Sequence, residues 1–342
     1  MRVMFPSRIL DRHVGGNTTY ARRLRDELIA RGVDVGSMPS GSHPVRTMLK
    51  ETQAAFRREP GTVLHYSADT GPLLRGPMPS VLTIHGVASR WTNVARNRRQ
   101  EAVWRFRVKR AARSTDRIVT VSKSAASDIA EVFGIDQEEI TVIYHGIDRE
   151  YFSHAATLSP GVASAVPRDY VLFVGNVEPR KNIDGLVRAF QTPEVRSLGL
   201  PLVIAGRPAW NFAETMAAIE AADNVIYLGF VDDSDRVALM QSAALFAFPS
   251  RYEGFGFPVL EAMAAGAPVI TSREGSLAEV AGPSARFLGL SIDAIAAGLV
   301  DALANRAWVE EYEQTRGAWL AQFTWQESAE RHMQIYRELL AS

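Results

Sequence analysis

Two carboxylates eight positions apart, Glu253 and Glu261, bracket a glycine-punctuated turn. The segment 253–258 follows an apolar run, and Pro258 is expected near the first position of a helix. The backbone amides of residues 255–257 would then point out of the helix N-terminus, where the dipole favours an anion such as phosphate. Spacing alone also allows a plainer interpretation, in which Glu253 caps the helix and Glu261 is a solvated helix residue.

A second loop places two adjacent bases, Arg180 and Lys181, between a predicted strand and a predicted helix. The loop begins at Gly175 and ends at Asn182. At the start of a helix, one planar guanidinium and one ammonium could together bind the two phosphates of a diphosphate. The alternative is that both bases are merely exposed in a turn.

Weaker signals lie in the first half of the chain. Gly15 and Gly16 separate the first predicted strand from the first predicted helix, and glycines there would let a ligand approach the backbone closely. They do not match the G-x-G-x-x-G pattern of dinucleotide-binding folds. His85 and His145 each end a predicted strand, and we interpret His145 as structural.

The composition excludes several kinds of thiol and metal chemistry. The 342 residues include no cysteine, which excludes a disulfide scaffold, a thiolate nucleophile and metal sites built on sulfur. The acidic segment 232–235 could suggest a metal site, but a helix cap from Asp233 or Ser234 explains it more simply. No stretch approaches the roughly 20 apolar residues of a membrane helix, and no signal peptide is recognised, so a cytoplasmic location is expected.

Short apolar runs alternate with helix-length segments along the chain, as expected for βαβ units and parallel sheets. The strands predicted in the first half are Val3–Phe5, Val63–Tyr66, Val81–His85, Arg117–Val121 and Thr141–Tyr144. Those predicted in the second half are Tyr170–Val174, Leu202–Ala205, Asn224–Leu228, Ala244–Phe248 and Pro268–Thr271. The predicted helices include Thr18–Arg31, Ile183–Phe190, Ser234–Gln241, Pro258–Ala265 and Thr324–Leu340.

This alternation predicts an α/β protein with two doubly wound, Rossmann-like domains. The aperiodic segment 151–168 is rich in Ser, Ala, Pro and Gly and is predicted to be a linker. We therefore expect one domain over residues 1–155, a second over 165–323, and a C-terminal helix over 324–342 that packs back toward the first. In such sheets ligands bind at the carboxyl ends of the strands, so the functional residues are expected in the βα loops.

The charges are divided unevenly between the two halves. Residues 1–150 carry 24 basic and 16 acidic side chains, whereas the remainder carries 14 basic and 22 acidic ones. The basic residues are densest over 90–123, where the chain has eleven bases. This region is either a solvated helix face or a contact for an anionic membrane surface or a phosphate-bearing acceptor. A nucleic acid partner is not expected, because no nucleic-acid-binding motif accompanies it.

Taken together, and in their order along the chain, these loops resemble those of the retaining glycosyltransferases of family 4. The GT-B fold of that family has two Rossmann-like domains facing a central cleft. The likeness is strongest over residues 170–285 and continues more loosely over 1–150. Its most specific element is the E-x7-E motif, present as Glu253 and Glu261. The segment 174–182 is similar to the diphosphate loop of that family, Gly15-Gly16 to its N-terminal glycine loop, and 121–124 to its serine turn.

The resemblance implies a role for each matching residue. Arg180 and Lys181 would neutralise the diphosphate leaving group without a metal or other cofactor. Glu253 would hold hydroxyls of the donor sugar, Glu261 the ribose hydroxyls, and His85 would face the transferred sugar. The residues expected to bind the donor are Gly15, Gly16, Ser122, Gly175, Asn176, Arg207, Phe230, Val231, Gly254, Phe255, Gly256, Phe257 and Glu261.

The donor and the acceptor are specified less sharply. The backbone near Phe230 and Val231 would meet the base, and Arg207 would border the nucleotide. The two loops are most similar to those of members that use GDP-mannose, while UDP-hexoses stay open because the base is bound mostly by backbone. A glycan or lipid-linked acceptor in polysaccharide or O-antigen assembly is expected, with peripheral membrane contact through residues 90–123.

The resemblance also implies retention of the anomeric configuration, with the departing phosphate oxygen taking the proton of the acceptor. Stabilisation of the leaving-group charge would then be the main catalytic effect. Three other functions stay open: a nucleotide-sugar 2-epimerase, a glycosidase with two carboxylates, and a non-catalytic partner subunit that binds nucleotide sugars. The epimerases lack the combination of Arg-Lys and E-x7-E, and a glycosidase needs no diphosphate loop.

Overall fold

The computed structural model of the chain describes residues 1–11, 15–41, 43–91 and 97–342. The chain divides into two compact units. The first unit contains the described residues up to Arg90, residues 97–146, and Phe323–Ser342. The second unit contains Ile147–Gln322. Val14 of the N-terminal glycine loop and Arg96 of the basic segment lie outside the described residues.

A parallel sheet of six strands, in the order β2-β1-β3-β4-β5-β6, forms the centre of the first unit. Its strands are β1 (Arg2–Pro6), β2 (Asp34–Met38), β3 (Thr62–Tyr66), β4 (Ser80–Ile84), β5 (Arg117–Thr120) and β6 (Ile140–Val142). Its helices up to Gly146 are α1 (Ser7–Leu10), α2 (Gly16–Ala30), α3 (Pro44–Ala55), α4 (Arg98–Ser114) and α5 (Lys123–Phe133). Every residue of β3 and β4 is buried, as is typical of parallel strands covered by helices on both faces.

The second unit repeats this architecture with the strand order β12-β11-β10-β7-β8-β9, again with parallel pairing. Its strands are β7 (Val171–Val174), β8 (Leu202–Ala205), β9 (Val225–Gly229), β10 (Leu245–Phe248), β11 (Val269–Thr271) and β12 (Arg286–Phe287). Its helices are α6 (Arg149–Ser153), α7 (Pro160–Ala165), α8 (Ile183–Ala189), α9 (Pro193–Arg196), α10 (Ala213–Glu220), α11 (Asp233–Ser242), α12 (Phe257–Ala265), α13 (Leu277–Ala281), α14 (Ile292–Ala304) and α15 (Arg306–Leu320). Among the residues that the structure describes, no helix is both long enough and apolar enough to cross a bilayer.

The C-terminal helix α16 (Trp325–Ala341) belongs to the first unit, where it packs on α2 and β3. Its buried face carries His332 and Tyr336, which enter a polar network with Tyr20 and His65. The Tyr20 hydroxyl lies 2.8 Å from Nε2 of His332, and the Tyr336 hydroxyl lies 2.6 Å from Nδ1 of His65. These bonds satisfy polar groups that would otherwise be costly to bury.

Burial keeps the histidines of the first unit's core uncharged. It lowers the pKa of His332 to about 4, and it lowers the pKa values of His65 and His145 well below their ordinary value. The pKa of His85 is lowered by the same cause, with the charge of Asp69 opposing the shift. The folded unit therefore holds neutral imidazoles that become protonated more readily once the chain unfolds.

Each strand and helix predicted from the apolar pattern is present within two residues of its expected bounds. The pattern missed the edge strand β2 and the short edge strand β12, because neither carries a run of buried apolar residues. Among the longer helices, the predictions also did not name α3, α5, α10, α14 and α15. The exposed face of α3 includes Val45 and Leu49.

Two local predictions were wrong. The segment 151–168, predicted to be a linker, contains the end of α6 and all of α7, and hydrogen bonds from Gln241 and to Asp235 hold it against α11. The cap of α11 is Asp232, whose carboxylate accepts from the Asp235 amide at 2.8 Å, rather than Asp233 or Ser234.

Acid should destabilise the protein through the buried histidines. The pKa values of these histidines are lower in the folded protein than in the unfolded chain. Their contribution to the free energy of unfolding is therefore fully present above about pH 6.5 and decreases as the pH falls below that value. His332 should contribute up to about 1.4 kcal/mol per pH unit between pH 6 and 5. We expect His332→Gln to flatten the dependence of the unfolding free energy on pH by about that amount, measured by urea denaturation at each pH. His154→Gln, at an exposed position, serves as the control; equal slopes in His332→Gln and wild type would contradict this account.

Candidate functional site

Four charged side chains form a closed network in the second unit. Lys181 Nζ lies 2.7 Å from Glu253 Oε1, and Arg180 Nη1 lies 2.7 Å from Glu253 Oε2. Arg180 also donates from Nε and Nη2 to Glu178 Oε1, at 3.0 and 2.5 Å. Glu178, Lys181 and Glu253 are each about 7% exposed. Two cations and two carboxylates therefore balance within one largely buried cluster.

The turn that carries the two bases is fixed at its far end. Residues Pro179–Lys181 form one 3-10 turn, and Asn182 follows in the left-handed region with φ 56° before α8 begins. The Asn182 side chain accepts from Arg251 Nη2 at 2.6 Å and donates to the Leu290 carbonyl at 3.1 Å. The Arg251 amide donates to the Arg180 carbonyl at 2.8 Å. The turn is thus joined to the loop after β10, which carries Glu253.

Hydrogen bonds from the loop after β11 hold the loop that carries Glu253. The Ser276 amide donates to the Glu253 carbonyl at 3.0 Å, and the Ser276 hydroxyl lies 3.0 and 2.8 Å from the carbonyls of Glu253 and Phe255. Gly275 has φ +60°, and a Cβ there would lie 2.4 Å from the Glu253 carbonyl oxygen. Only glycine fits this approach, so the position of Glu253 depends on residue 275.

The network sets the charge state of its members. Burial alone would raise the pKa of Glu253, but the charges of Arg180 and Lys181 hold that pKa at about 2. Burial lowers the pKa of Lys181, while the charge of Glu253 opposes the shift. The Lys181 ammonium also lies 4.7 Å from the centre of the Phe248 ring. Glu253 is therefore an anion across the physiological range, already paired with the two groups expected to bind a diphosphate.

Glu261 lies in α12 and is paired rather than solvated. Its carboxylate forms an ion pair with Arg236 of α11, whose guanidinium also contacts Asp233 at 3.0 Å and lies 5.2 Å from the centre of the Phe152 ring. Burial raises the pKa of Glu261, and the charge of Arg236 opposes the shift. The plain interpretation of Glu261 as a solvated helix residue is wrong, because its side chain is only 13% exposed.

The loops after β8 and β9 meet through a stacked pair. The Arg207 guanidinium lies 3.9 Å from the centre of the Phe230 ring, which is 57% exposed. Val231 follows at an intermediate burial. An exposed aromatic face beside a cation can receive a planar ligand, which fits the expected position of a base.

The remaining residues of the two glycine-bearing loops differ in exposure. Asn176 is exposed, and Gly175 has φ +159° beside the Phe173 ring. Gly256 is the N-cap of α12 with φ 98°, and the rings of Phe255 and Phe257 lie 5.3 Å apart on either side of it. Gly254 is of intermediate burial. The amide-bearing start of α12 thus follows Glu253 by a few residues, as the sequence predicted.

The first unit holds the other predicted residues. His85 Nε2 lies 2.9 Å from the Ser67 carbonyl, and its amide donates to Asp69 Oδ1 at 2.8 Å. Gly15 has φ 116° and is the exposed N-cap of α2, which begins at Gly16. Ser122 is fully buried, and its hydroxyl caps α5 by accepting from the Ala125 amide at 3.0 Å. His145 is buried 5.7 Å from the His85 ring.

Sequence reasoning assigned no role to three residues that the structure brings to these loops. Glu178 orients Arg180, and the Trp210 indole donates to Glu178 Oε2 at 2.7 Å. Asp69 fixes the backbone of His85 from a left-handed conformation, φ 59°, that is uncommon for residues other than glycine. An acid two positions before Arg180 was a visible signal for Glu178; nothing local marked Trp210 or Asp69.

The second-unit cluster can bind a diphosphate only by exchanging partners. Its cations are already matched by two carboxylates, so an incoming dianion must take the place of Glu253 on Lys181 and Arg180. The displaced Glu253 would then be available to accept hydrogen bonds from hydroxyl groups. Among the described residues, no group of three or more side chains is arranged to hold a metal ion.

Two family models match successive parts of the chain. A family model for glycosyl transferases group 1 matches residues 158–318, and a model for glycosyltransferase family 4 matches residues 36–151. O-antigen chain mannosyltransferase B of Escherichia coli is 32% identical over 231 residues. That alignment covers 65% of this chain and 60% of the relative, so the chain spans less than two thirds of the relative's length.

Solved structures match the whole fold. Sucrose-phosphate synthase of Thermosynechococcus elongatus has a TM-score of 0.79 at 19% identity, with 99% of each chain covered. HepE of Anabaena, solved in complex with UDP-glucose, has a TM-score of 0.71 at 16% identity, with 100% of each chain covered. These matches, with the two parallel six-stranded sheets, confirm the predicted GT-B fold class.

Replacing Glu253 by glutamine should tighten the binding of inorganic pyrophosphate. The substitution removes the resident anion and leaves the cluster with a net positive charge, so we expect about tenfold higher affinity by calorimetry. Lys181→Met should weaken binding by at least as much. Glu220→Gln, at an exposed position on α10, is the matched control. Unchanged or weaker binding in Glu253→Gln would show that Glu253 is not the counter-ion of this site.

Proposed function

Because the chain belongs to the group 1 glycosyl transferases, with a family 4 glycosyltransferase segment over 36–151, we propose that it is a retaining hexosyltransferase. It moves a hexose, with mannose from GDP-mannose as the best candidate, to a glycan or lipid-linked acceptor. The observation that carries the proposal is the pairing of Arg180 and Lys181 with the first carboxylate of the E-x7-E motif, each at 2.7 Å.

In the proposed reaction, Arg180 and Lys181 bind the diphosphate of the donor. The bond between the sugar C1 and the phosphate oxygen breaks, and the departing diphosphate gains negative charge. Once the diphosphate has replaced Glu253, the two buried cations stabilise that charge without further reorganisation, which is the largest contribution that we assign to catalysis. The amides at the start of α12, around Gly256 and Phe257, add partial positive charge.

Glu253 binds hydroxyls of the donor sugar once the diphosphate has taken its cations. Glu261 binds the ribose hydroxyls, because the ion pair with Arg236 keeps its carboxylate oriented. The base lies against the backbone at Phe230 and Val231, with Arg207 beside it. This order of contacts follows the order of the loops at the carboxyl ends of β7, β8, β9 and β10.

His85 contacts the transferred sugar as a neutral imidazole. Its Nε2 proton is bound to the Ser67 carbonyl, so Nδ1 carries the lone pair and can accept a hydrogen bond from a sugar hydroxyl. We propose that the departing phosphate oxygen takes the proton of the acceptor hydroxyl while the acceptor oxygen bonds to C1 on the same face. The anomeric configuration is thereby retained, and no metal is required.

The choice of mannose rests on the relative whose name states that activity. O-antigen chain mannosyltransferase B also supports an acceptor of polysaccharide or O-antigen type. A UDP-hexose is the second candidate, because HepE was solved with UDP-glucose bound. The base is bound mainly by backbone in either case, so the donor has to be identified by binding.

Membrane contact is proposed through α4. Val103 and Phe106 are 59% and 60% exposed on this helix, and Arg99 and Arg113 extend the same face. Other bases of the 90–123 region are engaged within the unit: Arg90 with Asp128 and Glu131, Arg105 with Glu101, and Arg110 with the Leu73 carbonyl. An exposed apolar pair flanked by arginines suits an anionic lipid surface.

Transfer should depend on the charged cluster. We expect Glu253→Ala and Lys181→Ala each to lower the rate by about 100- to 1000-fold while circular dichroism shows an intact fold. The melting temperature should fall in both variants, because each leaves a buried charge without its partner. Glu220→Ala is the matched control, and transfer is measured by release of the nucleoside diphosphate with a glycan acceptor. Near wild-type rates in either variant would contradict the assignment of Glu253 and Lys181 to the site of transfer.

The donor should be identifiable by thermal stabilisation with GDP, UDP, ADP and dTDP and their common sugars, with EDTA present throughout. A ligand at 100 times its dissociation constant adds about 2.7 kcal/mol of stability. A shift with GDP and GDP-mannose alone supports the mannosyl donor, and a shift with UDP alone supports a UDP-hexose. No shift with any nucleotide would refute the transferase proposal and favour neither donor.

Binding to lipid should depend on the α4 pair. We expect Val103→Ser/Phe106→Ser to lower the affinity for vesicles containing anionic lipid by about tenfold or more, since two apolar side chains no longer enter the interface. Ile29→Ser, at an exposed apolar position on α2, is the control. Equal vesicle binding by both variants and wild type would exclude α4 as the contact.

A further inference from the structure

The Trp210 side chain joins two loops that sequence reasoning treated separately. Its indole N–H donates to Oε2 of Glu178 at 2.7 Å, while Oε1 of the same carboxylate accepts from Arg180. Glu178 is about 7% exposed, so neither oxygen has much access to water. The carboxylate is held by one neighbour on each oxygen, which prevents it from rotating away from either.

The backbone of the loops after β7 and β8 places Trp210 beside Glu178. The segment after β8 runs alongside the segment after β7: the Val177 amide donates to the Arg207 carbonyl at 2.9 Å, and the Ala209 amide to the Val177 carbonyl at 3.0 Å. A Cβ on Gly206 would lie 1.9 Å from the Gly175 carbonyl oxygen, so the two loops can approach this closely only with glycine. This parallel extension delivers residue 210 beside residue 178.

Glu178 in turn decides how Arg180 is oriented. The Nε and Nη2 edge of the guanidinium faces Glu178, and Nη1 is left for the Tyr252 carbonyl and for Glu253, both at 2.7 Å. A guanidinium fixed on one edge presents its other edge in one direction only. That remaining edge is the one which a diphosphate would reach by replacing Glu253.

The same loop also carries Arg207, which stacks on Phe230 at 3.9 Å. One end of the loop therefore meets the place proposed for the base, and the other end holds the carboxylate that orients Arg180. We propose that Glu178 and Trp210 are positioning residues that couple the base-binding loop to the diphosphate-binding arginine. This inference rests on the proposed function, because it assumes that Arg180 binds the diphosphate of the donor.

The test uses Trp210→Phe, which removes the indole N–H but changes no charge. We expect about five- to tenfold weaker binding of the preferred nucleoside diphosphate and of inorganic pyrophosphate, with the affinity for the nucleoside monophosphate changed by less than about twofold. In transfer assays kcat should fall with the affinity, since Arg180 acts on the leaving group. A purely structural role would lower stability and weaken mono- and diphosphate binding alike.

A double-mutant cycle separates the hydrogen bond from other effects of the tryptophan. In Glu178→Gln, the amide turns its NH2 group toward the indole and cannot accept from it while its oxygen serves Arg180. Trp210→Phe should therefore have little further effect on diphosphate binding in that background. Trp308→Phe removes another indole bond, to the Ser284 carbonyl in the same unit, and should leave the ratio of mono- to diphosphate affinity unchanged.

The outcomes distinguish a failure of the proposed coupling from a failure of the proposed transferase function. If wild type binds a nucleoside diphosphate and Trp210→Phe binds it equally well, the coupling is refuted and the transferase proposal stands. The same holds if the effects of Trp210→Phe and Glu178→Gln on diphosphate affinity, whatever their sign, simply add. If wild type binds neither nucleotides nor pyrophosphate, the proposed function fails and the inference fails with it.

Discussion

The ion pairs of Glu253 with Arg180 and Lys181 are the interaction on which the rest of the site depends. Burying four charged groups is costly unless they are paired and hydrogen-bonded, and removing one partner leaves an uncompensated charge. The cluster meets that condition with two cations and two carboxylates. Such a cluster is stable while empty, yet a diphosphate can enter by taking over the cations that Glu253 holds.

The parallel sheet explains why these residues can meet at all. Arg180 and Lys181 follow β7, Trp210 follows β8, and Glu253 follows β10, and these three strands are neighbours in the sheet. Parallel strands bring their carboxyl ends to one edge, so residues more than 70 positions apart become adjacent. The bonds from Arg251 to the Arg180 turn and from Ser276 to the Glu253 loop then fix the loops relative to one another.

The sequence was most informative where local chemistry decides the outcome. Apolar runs located the central strands, and Gly256 and Pro258 located the start of α12, because burial and backbone geometry leave direct traces in residue types. Partners contributed by distant segments left no such trace. The Arg236 partner of Glu261 and the Trp210 partner of Glu178 lie 25 and 32 positions from their carboxylates, and no spacing rule connects them. The edge strand β2 was missed for a related reason, since an exposed edge needs no apolar run.

The state of Glu253 in the empty protein can be measured directly by ¹³C NMR of the glutamate side-chain carboxyls, with the Glu253 signal assigned from its loss in Glu253→Gln. The account predicts no titration of this signal between pH 8 and pH 4, because the paired carboxylate has a pKa of about 2. Saturating pyrophosphate should then raise its pKa as the cations turn to the phosphates. A midpoint near the ordinary value of 4.5 in the empty protein would contradict the paired cluster, and with it the exchange by which the diphosphate enters.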